Sequence, residues 1–123
     1  MNDVADGSNP QSGQRHRDLA AGRWRELSLC GQMGHVGSEV SRALNWRTRN
    51  PKIAEGAIER ALELLDLTLA DPRHLRRPAR MREIARAREV LLDFLVGENR
   101  YGSTGASLQR YFDAFAHAAA RGK

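Results

Sequence analysis

Apolar residues recur at helical spacing in four stretches of the chain and at strand spacing in none. The strongest pattern runs over residues 50–72, NPKIAEGAIERALELLDLTLADP. On a wheel of roughly 100° per residue, Ile53, Ala54, Ala57, Ile58, Ala61, Leu62, Leu64, Leu65, Leu67 and Leu69 cover more than half the circumference. Arg60 is the one charge inside that arc, and Glu55, Glu59, Glu63 and Asp66 occupy the remaining strip. Asn50 is placed to cap the first turn, and Pro51 fits the first helical position, where a missing N–H costs nothing. Pro72 disfavours helical geometry at Asp71 and so closes the segment. An arc this wide needs at least two partners to bury it. The chain is therefore expected to organise itself around this helix as a bundle.

A second helix is predicted over about 24–48, with Leu29, Cys30, Met33, Val36, Val40, Ala43 and Leu44 on one face. Gly31, Gly34 and Gly37 interrupt it at about 1 kcal/mol each, so a continuous helix and a break before Ser38 both fit the pattern. If it is continuous, Cys30, Gly34 and Ser38, with Gly37 and Ser41, form a strip of small residues that admits a close neighbour. The same glycines could suggest a phosphate-cradling loop, but no Lys-Ser/Thr pair follows. A third helix is predicted from about Pro78 to Val96, with Met81, Ile84, Ala85, Leu91, Leu92 and Leu95 as its seam. A turn-rich loop over 97–107 leads to a fourth helix capped by Ser107, where Leu108, Tyr111, Phe112, Phe115, Ala116 and Ala119 share a face. The expected fold is all-α: an up-down four-helix bundle over residues 23–123, preceded by a flexible polar tail over 1–22 that carries the basic cluster Arg15, His16 and Arg17.

Composition narrows this picture only slightly. The length of 123 residues suits one domain with one core. Cys30 is the only cysteine, which excludes an intramolecular disulfide and a cysteine metal cluster. No Glu-x-x-His pair of the di-iron bundles occurs, and no cofactor motif is visible. There is no signal-peptide pattern and no apolar run of transmembrane length, so a cytoplasmic location away from membranes is expected. The net charge of +5 comes from 20 basic residues, almost all arginine, against 15 acidic ones. Arginine suits phosphate and carboxylate partners.

Candidate chemistry is concentrated in arginines. Arg73, Arg76, Arg77, Arg80, Arg82 and Arg86 form a run with His74 inside it and Glu83 as its one acid. The run reads two ways: as a surface that binds nucleic acid or a partner protein, or as the charge partner, within or between subunits, of the strip Glu55, Glu59 and Glu63. Arg88 falls in the middle of the third helix's apolar seam, which predicts a buried ion pair with a carboxylate such as Asp66, Glu63 or Glu39. Trp46 with Arg47 and Arg49 reads as a cap on the bundle's end, or as a platform for an unpaired base. Cys30 and His35 lack a third partner for nucleophilic catalysis. Arg110 and His117 project together from the fourth helix. Their R-x6-H spacing resembles the loose signature of the HEPN ribonucleases, small helical bundles in which such a pair would orient a phosphate and move a proton.

Leu29 and Gln32, the small-residue stretch Val36 to Val40, and the Leu/Glu-rich run Glu59 to Leu67 lie in the segment SLCGQMGHVGSEVSRALNWRTRNPKIAEGAIERALELLDLTLAD. This segment, about a third of the chain, resembles the small bacterial four-helix-bundle proteins encoded in intervening sequences of large-subunit ribosomal RNA genes. The accessory variability determinant of diversity-generating retroelements is similar to the same group. The resemblance implies a non-enzymatic bundle, often a ring-shaped homo-oligomer, whose basic surfaces touch RNA, DNA or a nucleic-acid enzyme. The leading expectation is thus a non-catalytic oligomeric adaptor. A metal-independent ribonuclease using Arg110 and His117, and a purely structural homo-oligomer, are the alternatives.

Overall fold

The computed structural model describes residues 22–122, and all regular structure among them is helical. The expected polar tail, with Arg15, His16 and Arg17, lies outside the described residues except at its last position, Gly22. Four long helices are present, α1 (Leu29–Trp46), α2 (Pro51–Leu69), α4 (Pro78–Leu95) and α5 (Gly105–Arg121), with a one-turn helix α3 (Pro72–Leu75) between α2 and α4. None of them is long and apolar enough to cross a membrane.

The helix ends show where local chemistry decided the boundaries. α1 begins at Leu29 rather than at Trp24, because Ser28 caps it: its side chain accepts a bond from the Gly31 N–H at 3.1 Å. Upstream of the cap the backbone makes tight bonds from Glu26 N to Arg23 O and from Leu27 N to Trp24 O, which set Trp24 off from α1. From Leu29 onward α1 runs unbroken through Gly31, Gly34 and Gly37. α2 starts at Pro51 as expected, but the Asn50 side chain makes no capping bond; the Asn50 carbonyl instead accepts the Ile53 and Ala54 N–H groups. α5 is capped three residues earlier than expected, at Thr104 rather than Ser107. Thr104 is the cap, and Ser107 is its reciprocal partner, each side chain accepting the other's backbone N–H at 2.9 Å.

α1, and not α2, lies at the centre of the packing, with α2 along one side and α5 along another. Small residues explain this. A Cβ added to Gly37 would sit 2.6 Å from the Cβ of Phe112, and one added to Gly34 would sit 3.3 Å from the Cα of Ala116. The small-residue strip thus lets α5 approach the α1 backbone. Met33, Val36 and Val40 of α1 meet Ala61 and Leu65 of α2, Ile84 and Leu91 of α4, and Leu108 and Phe112 of α5 in one core. Complete burial of such a side chain contributes roughly 1.5–3 kcal/mol. α2 meets α1, α3 and α4, so its wide arc does use several neighbours. Its fully buried stripe is narrower than the arc: Ala54, Ala57, Ala61, Leu65 and Thr68 are buried, whereas Ile53, Ile58, Leu62, Leu64, Leu67 and Leu69 are half-buried. Arg60, the charge inside the arc, reaches Glu39 of α1 at 3.4 Å.

Candidate functional site

Four polar side chains are fully buried at the end of the molecule where α1 begins and α2 ends: Gln32, Thr68, Asp71 and His74. Gln32 and Thr68 arrive there because both lie in register with apolar helix faces, Gln32 beside Met33 and Thr68 one turn beyond Leu65. Asp71 and His74 arrive because the chain turns sharply after α2. Asp71 caps α3, its carboxylate accepting the Arg73 N–H at 3.0 Å, and the Asp71 carbonyl accepts the His74 and Leu75 N–H groups.

These groups satisfy one another. The Trp24 indole N–H donates to Thr68 Oγ1 at 2.9 Å, and the Thr68 hydroxyl donates to the Leu64 carbonyl at 2.8 Å. Gln32 Nε2 donates to the Trp24 carbonyl at 2.9 Å and to Asp71 Oδ2 at 3.0 Å. That commits Gln32 Oε1 as an acceptor, and His74 Nε2 lies 2.7 Å from it. Nε2 of His74 must therefore carry the proton, which leaves Nδ1 a lone pair. Arg80 Nη1 donates to that lone pair at 3.2 Å. Arg73 closes the cluster, donating to Asp71 Oδ2 at 2.7 Å and to the Leu27 carbonyl at 2.6 Å. The residues before α1 are thereby tied to α1, α2, α3 and α4.

The electrostatics follow from that geometry. The Arg73 guanidinium beside Asp71 holds its carboxyl well below the usual carboxylate range, with Gln32 adding to the effect. Burial is the main cause that pushes His74 below an ordinary histidine, and Arg80 and Arg73 push the same way against the attraction of Asp71. The cluster is thus an ionised Asp71, a neutral His74 and two arginines whose heads reach toward the surface. Every reactive atom in it is engaged, so it presents no open nucleophile, base or metal site. Among the described residues no group of three His, Cys, Asp or Glu side chains could hold a metal ion.

The arginine run divides in two around this network. Arg73 and Arg80 are held by Asp71 and His74. Arg76, Arg77 and Arg82 are exposed, and none has a carboxylate within 4.0 Å among the described residues. Arg86 lies over the Tyr101 ring at 5.6 Å. Glu83, the one acid within the run, accepts the Tyr111 hydroxyl across the α4–α5 boundary. Glu55, Glu59 and Glu63 are exposed on α2 and make no ion pair with the run in this chain.

Arg88 does pair with Asp66, Nε to Oδ1 at 2.9 Å, but the expected burial is not met: the two side chains are 33% and 58% exposed. The long arginine stem crosses the seam and delivers its head to water. Arg88→Ala is accordingly expected to cost about 1 kcal/mol or less in urea unfolding, and a loss of about 3 kcal/mol would show that the pair behaves as a buried one.

Trp46 is half-buried at the far end of α1 with the Arg49 guanidinium 4.6 Å from its ring centroid, so that arginine occupies one face of the platform. Arg110 and His117 are both exposed on α5 and share no hydrogen bond with each other among the described residues. Cys30 and His35 line an open groove between the start of α1 and the end of α5, beside Gly34, Ser38 and Ala116. No family profile, curated protein or solved structure matches the chain.

Proposed function

We propose that this protein is a non-catalytic adaptor, an up-down four-helix bundle that self-associates and contacts nucleic acid through Arg76, Arg77 and Arg82. The observation that carries the reading is the contrast within the arginine run. Two of its guanidinium groups are spent on the buried network, while these three stand exposed, on or beside an anchored turn, with no carboxylate within 4.0 Å among the described residues. Free guanidinium groups on a fixed scaffold suit a polyanion, because each phosphate neutralised releases condensed counterions. The closed state of the Asp71–His74 cluster supports a binding rather than a catalytic role. The half-buried flanks of α2 and the acidic strip Glu55, Glu59 and Glu63 offer further surface for a second copy. The resemblance to the ribosomal-RNA intervening-sequence and retroelement accessory bundles points the same way.

Filter binding to duplex nucleic acid across a salt series tests this. Substitution of Arg76, Arg77 and Arg82 by Gln is expected to flatten the slope of log affinity against log salt by up to about 2.7 units if all three meet duplex phosphates. Light scattering on the same samples is expected to show a species heavier than the 13.7 kDa chain. An unchanged slope removes these arginines from the interface. Cleavage of labelled single-stranded RNA that is lost in both Arg110→Ala and His117→Ala would replace the adaptor with the ribonuclease reading. Neither binding nor cleavage would leave a structural oligomer.

A further inference from the structure

The buried network contains one group whose bonding works in a single protonation state. His74 is fully buried. Its Nε2–H is spent on Gln32 Oε1, and its Nδ1 lone pair receives Arg80 Nη1. α1 presents the neutral Gln32, the turn that follows α2 and caps α3 presents Asp71, α3 presents Arg73 and α4 presents Arg80. A proton on Nδ1 would convert the Arg80 contact from an N–H···N bond into two donors facing each other, with two positive charges about 3 Å apart. Among the described residues Asp71 Oδ2 is the only carboxylate oxygen within 4.0 Å of the ring; it lies 3.7 Å from Nε2, on the side away from the new proton on Nδ1, and already serves Gln32 and Arg73. The imidazole has no second acceptor for the new N–H among these neighbours.

α3 is the element that can yield. It is a single turn, Pro72–Leu75, flanked by Ala70 and by Arg76–Arg77, and most of its residues are exposed apart from His74. His74 is its one fully buried side chain and, together with its cap Asp71, ties it to Gln32 of α1.

We infer that α3 is a pH-sensitive latch: with His74 neutral the turn is pinned to Gln32 and Arg80, and protonation of His74 releases it from α1 while the four-helix core stays closed. The latch holds whatever the basic surface binds, and it does not rest on the adaptor reading. Its consequence for that surface is direct, because Arg76 and Arg77 are carried on the released segment.

The sign and size follow from linkage. The closed form disfavours the proton and the open form takes it at the ordinary value of 6.5, so closure is strongest above that value and weakens as the pH falls below it. Between about pH 7.5 and about pH 5.5, opening is favoured by up to about tenfold if the closed imidazole stays neutral. Hydrogen exchange of the full chain, corrected for intrinsic chemistry, reads this at the hydrogen-bonded amides of Arg73, His74, Leu75 and Arg77. Their protection is expected to fall several-fold to tenfold over that interval, while the amides of Val40 and Phe112 keep theirs. His74→Gln retains one donor and one acceptor without a titrating group, and is expected to flatten the response. Protection that does not change with pH, or that falls equally at Val40 and Phe112, overturns the latch. If His74→Gln does not fold, ring-nitrogen resonances of His74 in the unaltered protein decide. The latch requires the Nε2–H neutral form at the higher pH and loss of α3 protection in step with its protonation. A doubly protonated His74 with α3 still protected sinks it.

Discussion

Gln32→Met is expected to destabilise the protein by about 2–4 kcal/mol, a large share of the roughly 5–15 kcal/mol that holds a domain of this size together. The side chains are similar in length, so the change removes chemistry more than volume. It leaves the His74 Nε2–H without a partner, takes one of two donors from the Trp24 carbonyl, which keeps the Leu27 N–H, and takes one of the donors from Asp71. Each buried group stranded in this way costs about 1–3 kcal/mol. Asp71 and the Trp24 carbonyl are partly protected, because Arg73 and the Leu27 N–H still donate to them, which is why the sum is held to one full penalty and two partial ones. Urea melts followed by circular dichroism measure the loss. A change below about 1 kcal/mol would mean that water reaches the site and that the network contributes little. A double-mutant cycle with His74→Leu sharpens the result. The two losses should fall short of additivity by more than about 0.5 kcal/mol, since each substitution removes the other's partner.

The second large effect concerns two glycines in neighbouring helices whose substitution by alanine should have opposite signs. Gly37→Ala places a Cβ 2.6 Å from the Cβ of Phe112, with the Phe112 carbonyl carbon 3.7 Å behind it. Phe112 is buried at 1% exposure, and the clash falls next to its backbone rather than at a movable tip. α1 and α5 must separate, and overpacking of this kind costs about 1–3 kcal/mol, occasionally more. Alanine's better helix propensity returns about 1 kcal/mol. With a clash at 2.6 Å the cost lies toward the upper end, and a net loss of about 1–2 kcal/mol is expected. Gly56→Ala, in α2, meets nothing within 4 Å and should keep the propensity gain, a stabilisation of up to about 1 kcal/mol. Thermal and urea melts of the two variants are expected to bracket the parent protein. A Gly37→Ala variant as stable as the parent would mean that α5 does not lie as close to α1 as the geometry states.

The long helices were legible because their signal is local and repeated over several turns. Pro51, the Leu-rich run of α2 and the Phe/Tyr spacing of α5 each fix a face from sequence neighbours alone. The ends were less legible, since Ser28, Thr104 and Ser107 are all competent caps and only geometry selects among them. The central position of α1 was partly written in its small residues, but glycine spacing does not say which helix will approach. The buried network divides in the same way. Gln32 and Thr68 sit on apolar faces, so a search for polar residues in core register would have found them, just as it found Arg88. The difference is reach: Arg88 carries its charge out to solvent, whereas glutamine and threonine have stems too short to leave the core. Asp71 and His74 gave no such signal. They lie in or beside the arginine-rich connector, and their burial depends on where that connector folds back against α1. The sixfold arginine run hid the same distinction, because residue type cannot tell a guanidinium bound to Asp71 or His74 from one that is free.

Trp24 and Trp46 are the only tryptophans, and they stand near opposite ends of α1, a helix about 27 Å long. One indole is enclosed and donates to Thr68; the other is partly open and covered on one face by Arg49. The protein therefore carries an intrinsic optical label at each pole, one reporting on the polar network and one on the α1–α2 turn. A quencher dissolved in the buffer separates the two emissions, so loosening at one pole can be followed while the other remains intact.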